Sequence, residues 1–135
     1  MLCPLCSFNP SSKSVSIIGG KKFYQCAGCD LLYVDASHYL NATEERKRYL
    51  AHENDVNDLR YQDFVRPIYE TITERVPSGS KGLDFGAGTG PVLSKMLVES
   101  GYQMFQFDTF FHPDEGVLAG RYDFICACEV VEHFY

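Results

Sequence analysis

Cys3, Cys6, Cys26 and Cys29 form two Cys-x2-Cys pairs separated by nineteen residues. Two residues between thiols put both sulfurs on one side of a tight turn, spaced like adjacent corners of a tetrahedron. Two such turns complete a four-sulfur shell that suits zinc, and with no position left for water the ion is expected to be structural. A rubredoxin-like iron centre uses the same ligand count, and the spacing does not separate the two metals. A redox dithiol needs only one such pair and ordinarily sits beside a βαβ unit. Cys126 and Cys128 alternate within an apolar run and read as buried thiols without a ligand.

A second constellation is Leu83-Asp84-Phe85-Gly86-Ala87-Gly88-Thr89-Gly90-Pro91. Alternating glycines let a backbone turn sharply and let a ligand lie against it without meeting a β-carbon. The run stands between an expected strand and an expected helix, whose free N–H groups favour negative charge. A dinucleotide fingerprint, G-x-G-x-x-G, wants glycine or alanine where Pro91 stands. Asp84, just ahead of the glycines, sits badly beside a pyrophosphate and suits a ligand carrying ammonium and sulfonium cations. Asp108, at the end of the next apolar run, can accept hydrogen bonds from both ribose hydroxyls of either ligand. A nicotinamide enzyme is therefore the competing reading of this loop.

The third constellation is Glu129-x-x-Glu132-His133. On a helix beginning near Glu129 these three share a face and can bind a divalent cation. Alternatively His133 serves as the general base that takes the acceptor's proton. Acids near the positive end of a helix explain the same residues without any function. His52, Glu53 and Asn54 are explained as well by helix-end capping as by a role over the ligand.

These groups need elements to position them. Ser14–Ile18 and Phe23–Gln25 flank the two-glycine turn Gly19–Gly20, and Leu31–Val34 is a third short strand. Strands this short cannot bury a core alone, which leaves that role to the metal. Asn41 caps an expected helix running to about Glu53, with Glu44 and Glu45 near its positive end. Asp55 caps a second, in which Val65, Ile68, Tyr69, Ile72 and Val76 share a face and Pro67 is expected to kink the helix or open a new one. Gly82–Phe85, Met104–Phe107 and Tyr122–Cys128 are the next strands, with a helix from Pro91 stopped by Gly101. Strand, helix, strand, connection, strand implies a parallel sheet. The expected organisation is residues 1–40, a ribbon; 41–78, a helical linker; and 79–135, the sheet domain.

The net charge of −6 over 135 residues is unevenly spread. Residues 79–135 hold three bases against eight acids, and the one basic cluster, Glu44–Arg48, nets only +1 and reads as a solvated helix face. No basic stripe points to nucleic acid. No apolar run approaches the roughly 20 residues of a membrane span. MLCPLCSF lacks the basic start and apolar stretch of a secretory signal, so a cytoplasmic location is expected, where paired thiols favour metal over disulfides.

Together LDFGAGTG at 83–90, FD at 107–108 and YDFICACEVVEHF at 122–134 resemble the class I S-adenosylmethionine-dependent methyltransferases. The resemblance implies a seven-stranded Rossmann-like sheet that binds the cofactor at its carboxyl strand ends. It implies that Asp84 lies near the methionine end, that Phe85 is a cofactor-binding residue beside it, that Gly86, Ala87, Gly88 and Gly90 form the cofactor loop, and that Asp108 holds the ribose. It further implies that Cys128 and Glu129 border the methionyl part. An N-terminal zinc ribbon is similar to the arrangement of bacterial small-molecule methyltransferases. Some class I O-methyltransferases hold magnesium in an acidic-histidine cluster like the one at 129–133. With thirteen residues between Asp108 and Tyr122, the third family strand must be rudimentary, near Val117–Leu118. The last three family strands have no counterpart, so the N-terminal part of such a domain is expected, with an unpaired sheet edge open to self-association. The expected function is methyl transfer to a small-molecule acceptor. Its rival is a non-catalytic module in which the ribbon recruits a partner and the remnant domain stabilises it.

Overall fold

Lys13–Ile18 and Lys21–Gln25 pair as an antiparallel hairpin, and Leu32–Val34 adds to the far side of the second strand. These are β1, β2 and β3, giving the order β1-β2-β3. The computed structural model describes residues 2–8, 13–51 and 55–133, so His52, Glu53, Asn54 and Phe134 lie outside the described residues. The described chain forms two compact units, one reaching Glu44 and the other running from Glu45 to His133.

Among the described residues of the first unit the buried core is Cys3, Cys26 and Tyr33, with Tyr24 and Leu31 packed against it. Tyr24 stacks obliquely on Tyr33, with ring centroids 5.9 Å apart, and donates its hydroxyl to Asp35 at 2.9 Å. So little apolar burial cannot offset the chain entropy of ordering three strands. Asn41 and Glu44 form a reciprocal capping box: Glu44 N–H donates to Asn41 Oδ1 at 3.0 Å, and Asn41 N–H to Glu44 Oε2 at 3.3 Å. The helix so opened, α1, is Ala42–Leu50.

In the second unit, α2 spans Leu59–Arg75. Its cap is Asp58, whose carboxylate accepts from Arg60 N–H, and not Asp55, which is spent on its own turn with Asn57. Pro67 lies inside α2 and opens no new helix, so it removes one hydrogen bond from the ladder without ending it. Although read from the sequence as linker, α2 contributes Val65 and Ile72 to the core beside Val92, Leu93, Leu97, Tyr102 and Cys126. Strand β4, Lys81–Phe85, lies between β5, Gln103–Phe107, and β6, Phe124–Cys126, and pairs in parallel with both. Helix α3, Val92–Glu99, connects β4 to β5 with Pro91 at its N-cap.

Among the described residues the sheet of this unit has three strands, with the glycine loop leaving the central one. The mixed α/β class with a parallel sheet agrees with the class expected from the sequence. Two local expectations do not hold. Val117–Leu118 is not a strand but part of a 3₁₀ turn, Glu115–Ala119, because Asp114 caps it through Gly116 N–H and Tyr122 pins Val117 O with its hydroxyl at 2.6 Å. The segment after Cys128 is also no α-helix: Glu129 takes a left-handed φ of 55°, and Val131–His133 form one 3₁₀ turn. Among the described residues, no helix is long and apolar enough to cross a membrane.

Candidate functional site

The two cysteine pairs fold into matching turns. Ser7 N–H donates to Cys3 O and Asp30 N–H to Cys26 O, each at 3.0 Å. Cys3 N–H reaches Phe8 O at 3.2 Å, and Cys26 N–H reaches Leu31 O at 2.9 Å. The residue after each second cysteine is left-handed, Ser7 at 56° and Asp30 at 59°. This repeated geometry turns each pair of thiols to one side.

All four sulfurs lie within 4.8 Å of one another, with Cys3–Cys29 at 3.7 Å and Cys6–Cys26 at 3.6 Å. A tetrahedron of zinc–sulfur bonds of about 2.3 Å has edges of about 3.8 Å, so the donor set fits that ion. Burial opposes ionisation of Cys3, yet the amides of Cys6 and Leu5 and the adjacent thiols bring it down to about 7. At Cys29 the Leu31 amide favours the thiolate, but desolvation and three neighbouring sulfurs push it up to about 12. Four sulfurs this close ionise together only around a cation.

The glycine loop has one closed side and one open side. Gly86 (φ 78°) packs against Val130, while a β-carbon on Gly88 (φ 65°) would meet nothing within 4 Å. Gly86 N–H and Ala87 N–H both donate to Phe107 O, at 2.7 and 3.1 Å, tying the loop to the end of β5. Phe85 stacks on Phe107 across the two strand ends, centroids 5.3 Å apart. Gly90 is buried and leads through Pro91 into α3.

Asp108 faces this loop. Its Oδ2 accepts from Gly88 N–H at 3.0 Å, and its Oδ1 accepts from Phe110 and Phe111 N–H at 2.9 and 3.1 Å. It thus closes its own turn and braces the loop in one act. Asp84 does otherwise: it is only 4% exposed, and its carboxylate is engaged inside the core. Ser94 of α3 donates to Oδ2 at 2.8 Å, and Cys126 Sγ lies 3.8 Å from Oδ1. Burial raises Asp84 above the ordinary aspartate range, against the lowering effect of Ser94 and Cys126. Cys126 itself is pushed upward by burial and by the Asp84 charge, as befits an inert thiol.

Glu129, Glu132 and His133 do not gather. Among the described residues, the cysteine quartet is the one group of three or more such side chains close enough to share an ion. The left-handed Glu129 and the 3₁₀ turn after it remove the helical i, i+3, i+4 face on which a second cation site depended. His133 instead meets the Tyr49 ring edge-on, centroids 5.9 Å apart, and Tyr49 also lies 6.3 Å from Phe110. Cys128 is half-buried, and burial followed by the Glu129 charge raises its thiol.

Sequence reasoning missed Ser94, Val130 and Tyr49. Ser94 had a signal, a lone hydroxyl among the buried positions Val92, Leu93 and Leu97. The other two had none.

A protein-family model described as a methyltransferase domain matches residues 57–135, more than half of the chain and all of the glycine-loop unit from α2 onward. No curated protein and no solved structure matches the chain at a significant level.

Proposed function

This chain belongs to the methyltransferase-domain family, and on that premise we propose that its glycine loop binds S-adenosylmethionine for methyl transfer to a small-molecule acceptor. The observation that carries the proposal is the open side of Gly88, beside Asp108, within the matched segment. When bound, S-adenosylmethionine supplies an electrophilic methyl group on a sulfonium sulfur.

The chain's residues act mainly by positioning, which is the larger part of catalysis for such in-line transfers. Gly86, Ala87, Gly88 and Gly90 give a backbone on which the ligand rests. Asp108 has carboxylate lone pairs beyond the three amides it already accepts, and these are the ones offered to ribose hydroxyls. Phe85, the last residue of β4, is proposed to contact the cofactor, and Glu129, three residues beyond β6, to border its methionyl part. His133 is the candidate base, held by the Tyr49 ring. The cysteine quartet is assigned to one structural zinc, whose full shell leaves no place for a reacting molecule. The outer edge of β6 is proposed as the route of any self-association.

Calorimetric titration of the zinc-loaded chain tests the cofactor assignment. Saturable binding of S-adenosylmethionine, weakened by Asp108→Ala, is expected. Binding of NAD in its place would return the loop to the nicotinamide class.

A further inference from the structure

We infer that Asp84 carries a proton in the ligand-free chain and releases it to solvent when the cationic cofactor settles on the glycine loop. This rests on the assignment of S-adenosylmethionine to that loop. In the step, the O–H bond of the carboxylic acid breaks and its electron pair stays on the carboxylate. The proton passes to the buffer, and nothing is oxidised or reduced.

The position of the acid carries the argument. Asp84 is the second-last residue of the central strand, two before Gly86, and is 4% exposed. None of the ion pairs among the described residues involves it. The groups that face it come from every element around it: Ser94 from α3, Cys126 from β6 and Tyr61 from α2. Cys128 follows β6, while Asp108 and His112 come from the turn after β5. Of these only His112 can be positive. A hydroxyl, two thiols and a phenol are neutral or negative, and Asp108 is a like charge. Ser94 and Cys126 donate hydrogen bonds that favour the carboxylate but supply no counter-charge, and burial outweighs them in favour of the neutral acid.

A sulfonium and ammonium ligand on the loop supplies the missing charge. By linkage, whatever the cation gains from an ionised Asp84, the proton loses. Asp84 therefore reads the charge of the cofactor from beneath the loop without needing to touch it. Binding of S-adenosylmethionine should tighten as pH rises through the range where Asp84 titrates, by up to about tenfold per pH unit for one proton released.

Two measurements on the zinc-loaded chain test this. In calorimetry below the pH range where Asp84 titrates in the free chain, in two buffers of different ionisation enthalpy, the wild type should release about one more proton per S-adenosylmethionine bound than Asp84→Asn. Infrared spectra of the free wild type should show a protonated carboxyl stretch that fades when S-adenosylmethionine is added and is missing from Asp84→Asn. Equal proton release by both proteins, or no such band, overturns the inference. The wild-type spectra with and without ligand decide it even where the variant folds poorly. Intact band and no binding sinks the cofactor assignment, and the coupling with it. Binding without Asp84-dependent proton release sinks the coupling alone.

Discussion

Alanine at Gly86 and alanine at Gly88 are opposite tests of the same loop. Both residues are left-handed, at 78° and 65°, and an L side chain there costs about 1–2 kcal/mol. At Gly86 the added methyl would overlap Val130 Cγ2, with Cγ1 3.0 Å away. Overpacking of that kind adds about 1–3 kcal/mol, toward the lower end here because Val130 is half-buried on a short turn and can yield. At Gly88 the methyl meets nothing within 4 Å. Gly86→Ala should therefore destabilise the sheet unit by about 2–4 kcal/mol and Gly88→Ala by about 1–2. Each kcal/mol is worth roughly 4–8 °C of Tm in a unit of this size. Binding should invert that order. The Gly88 methyl enters the space where the ligand rests and should weaken S-adenosylmethionine by about tenfold or more, equivalent to about 1.4 kcal/mol. Gly86→Ala should stay within a few-fold at temperatures where it is folded. Thermal melts and calorimetric titrations of both variants provide the two numbers. Wild-type affinity in Gly88→Ala would refute the assignment of the open side to the ligand.

Three further outcomes follow from the same geometry. The purified chain should hold one zinc, and Cys26→Ser or a strong chelator should release it and unfold the ribbon, as judged by metal analysis and circular dichroism. Cys126→Ser should leave the zinc in place. Leu97→Ala removes a side chain with no exposed surface from the centre of the sheet unit and should cost about 2–5 kcal/mol in denaturant melts. The pH dependence of stability should differ between wild type and Asp84→Asn. Because burial raises the folded-state value of Asp84 above its ordinary 3.8, its relative stability is greatest below that value. It is lost as pH rises toward the folded-state value. Wild type should weaken against Asp84→Asn over that range, and a parallel pair of profiles would show that Asp84 is not desolvated.

How far the chain was legible from its residues varied with the range of the interactions involved. Asn41 as a helix cap is a local pattern and is realised, with Glu44 adding a return hydrogen bond that the sequence reading did not include. The cysteine turns were equally local, since two intervening residues suffice to aim both thiols. Asp55 and Asp58 were less separable, because either carboxylate can cap a turn and only the packing of α2 decides which opens the helix. The expected strand through Tyr122–Cys128 is shortened to Phe124–Cys126, since its pairing with β4 ends at Asp84. The helix expected to begin near Glu129 was misjudged because a non-glycine residue in the left-handed region gives no sign of itself in sequence. Asp84 was the most instructive case. Its spacing from the glycines suggested a group facing the ligand, while a serine ten residues later draws its carboxylate into the core.

The central claim is that the loop leaving β4 is a cofactor cradle. Amide chemical shifts followed by NMR during titration with S-adenosylmethionine test it most directly. The largest changes should centre on Gly86, Ala87, Gly88, Gly90 and Asp108. A titration that leaves the loop resonances in place would contradict the account.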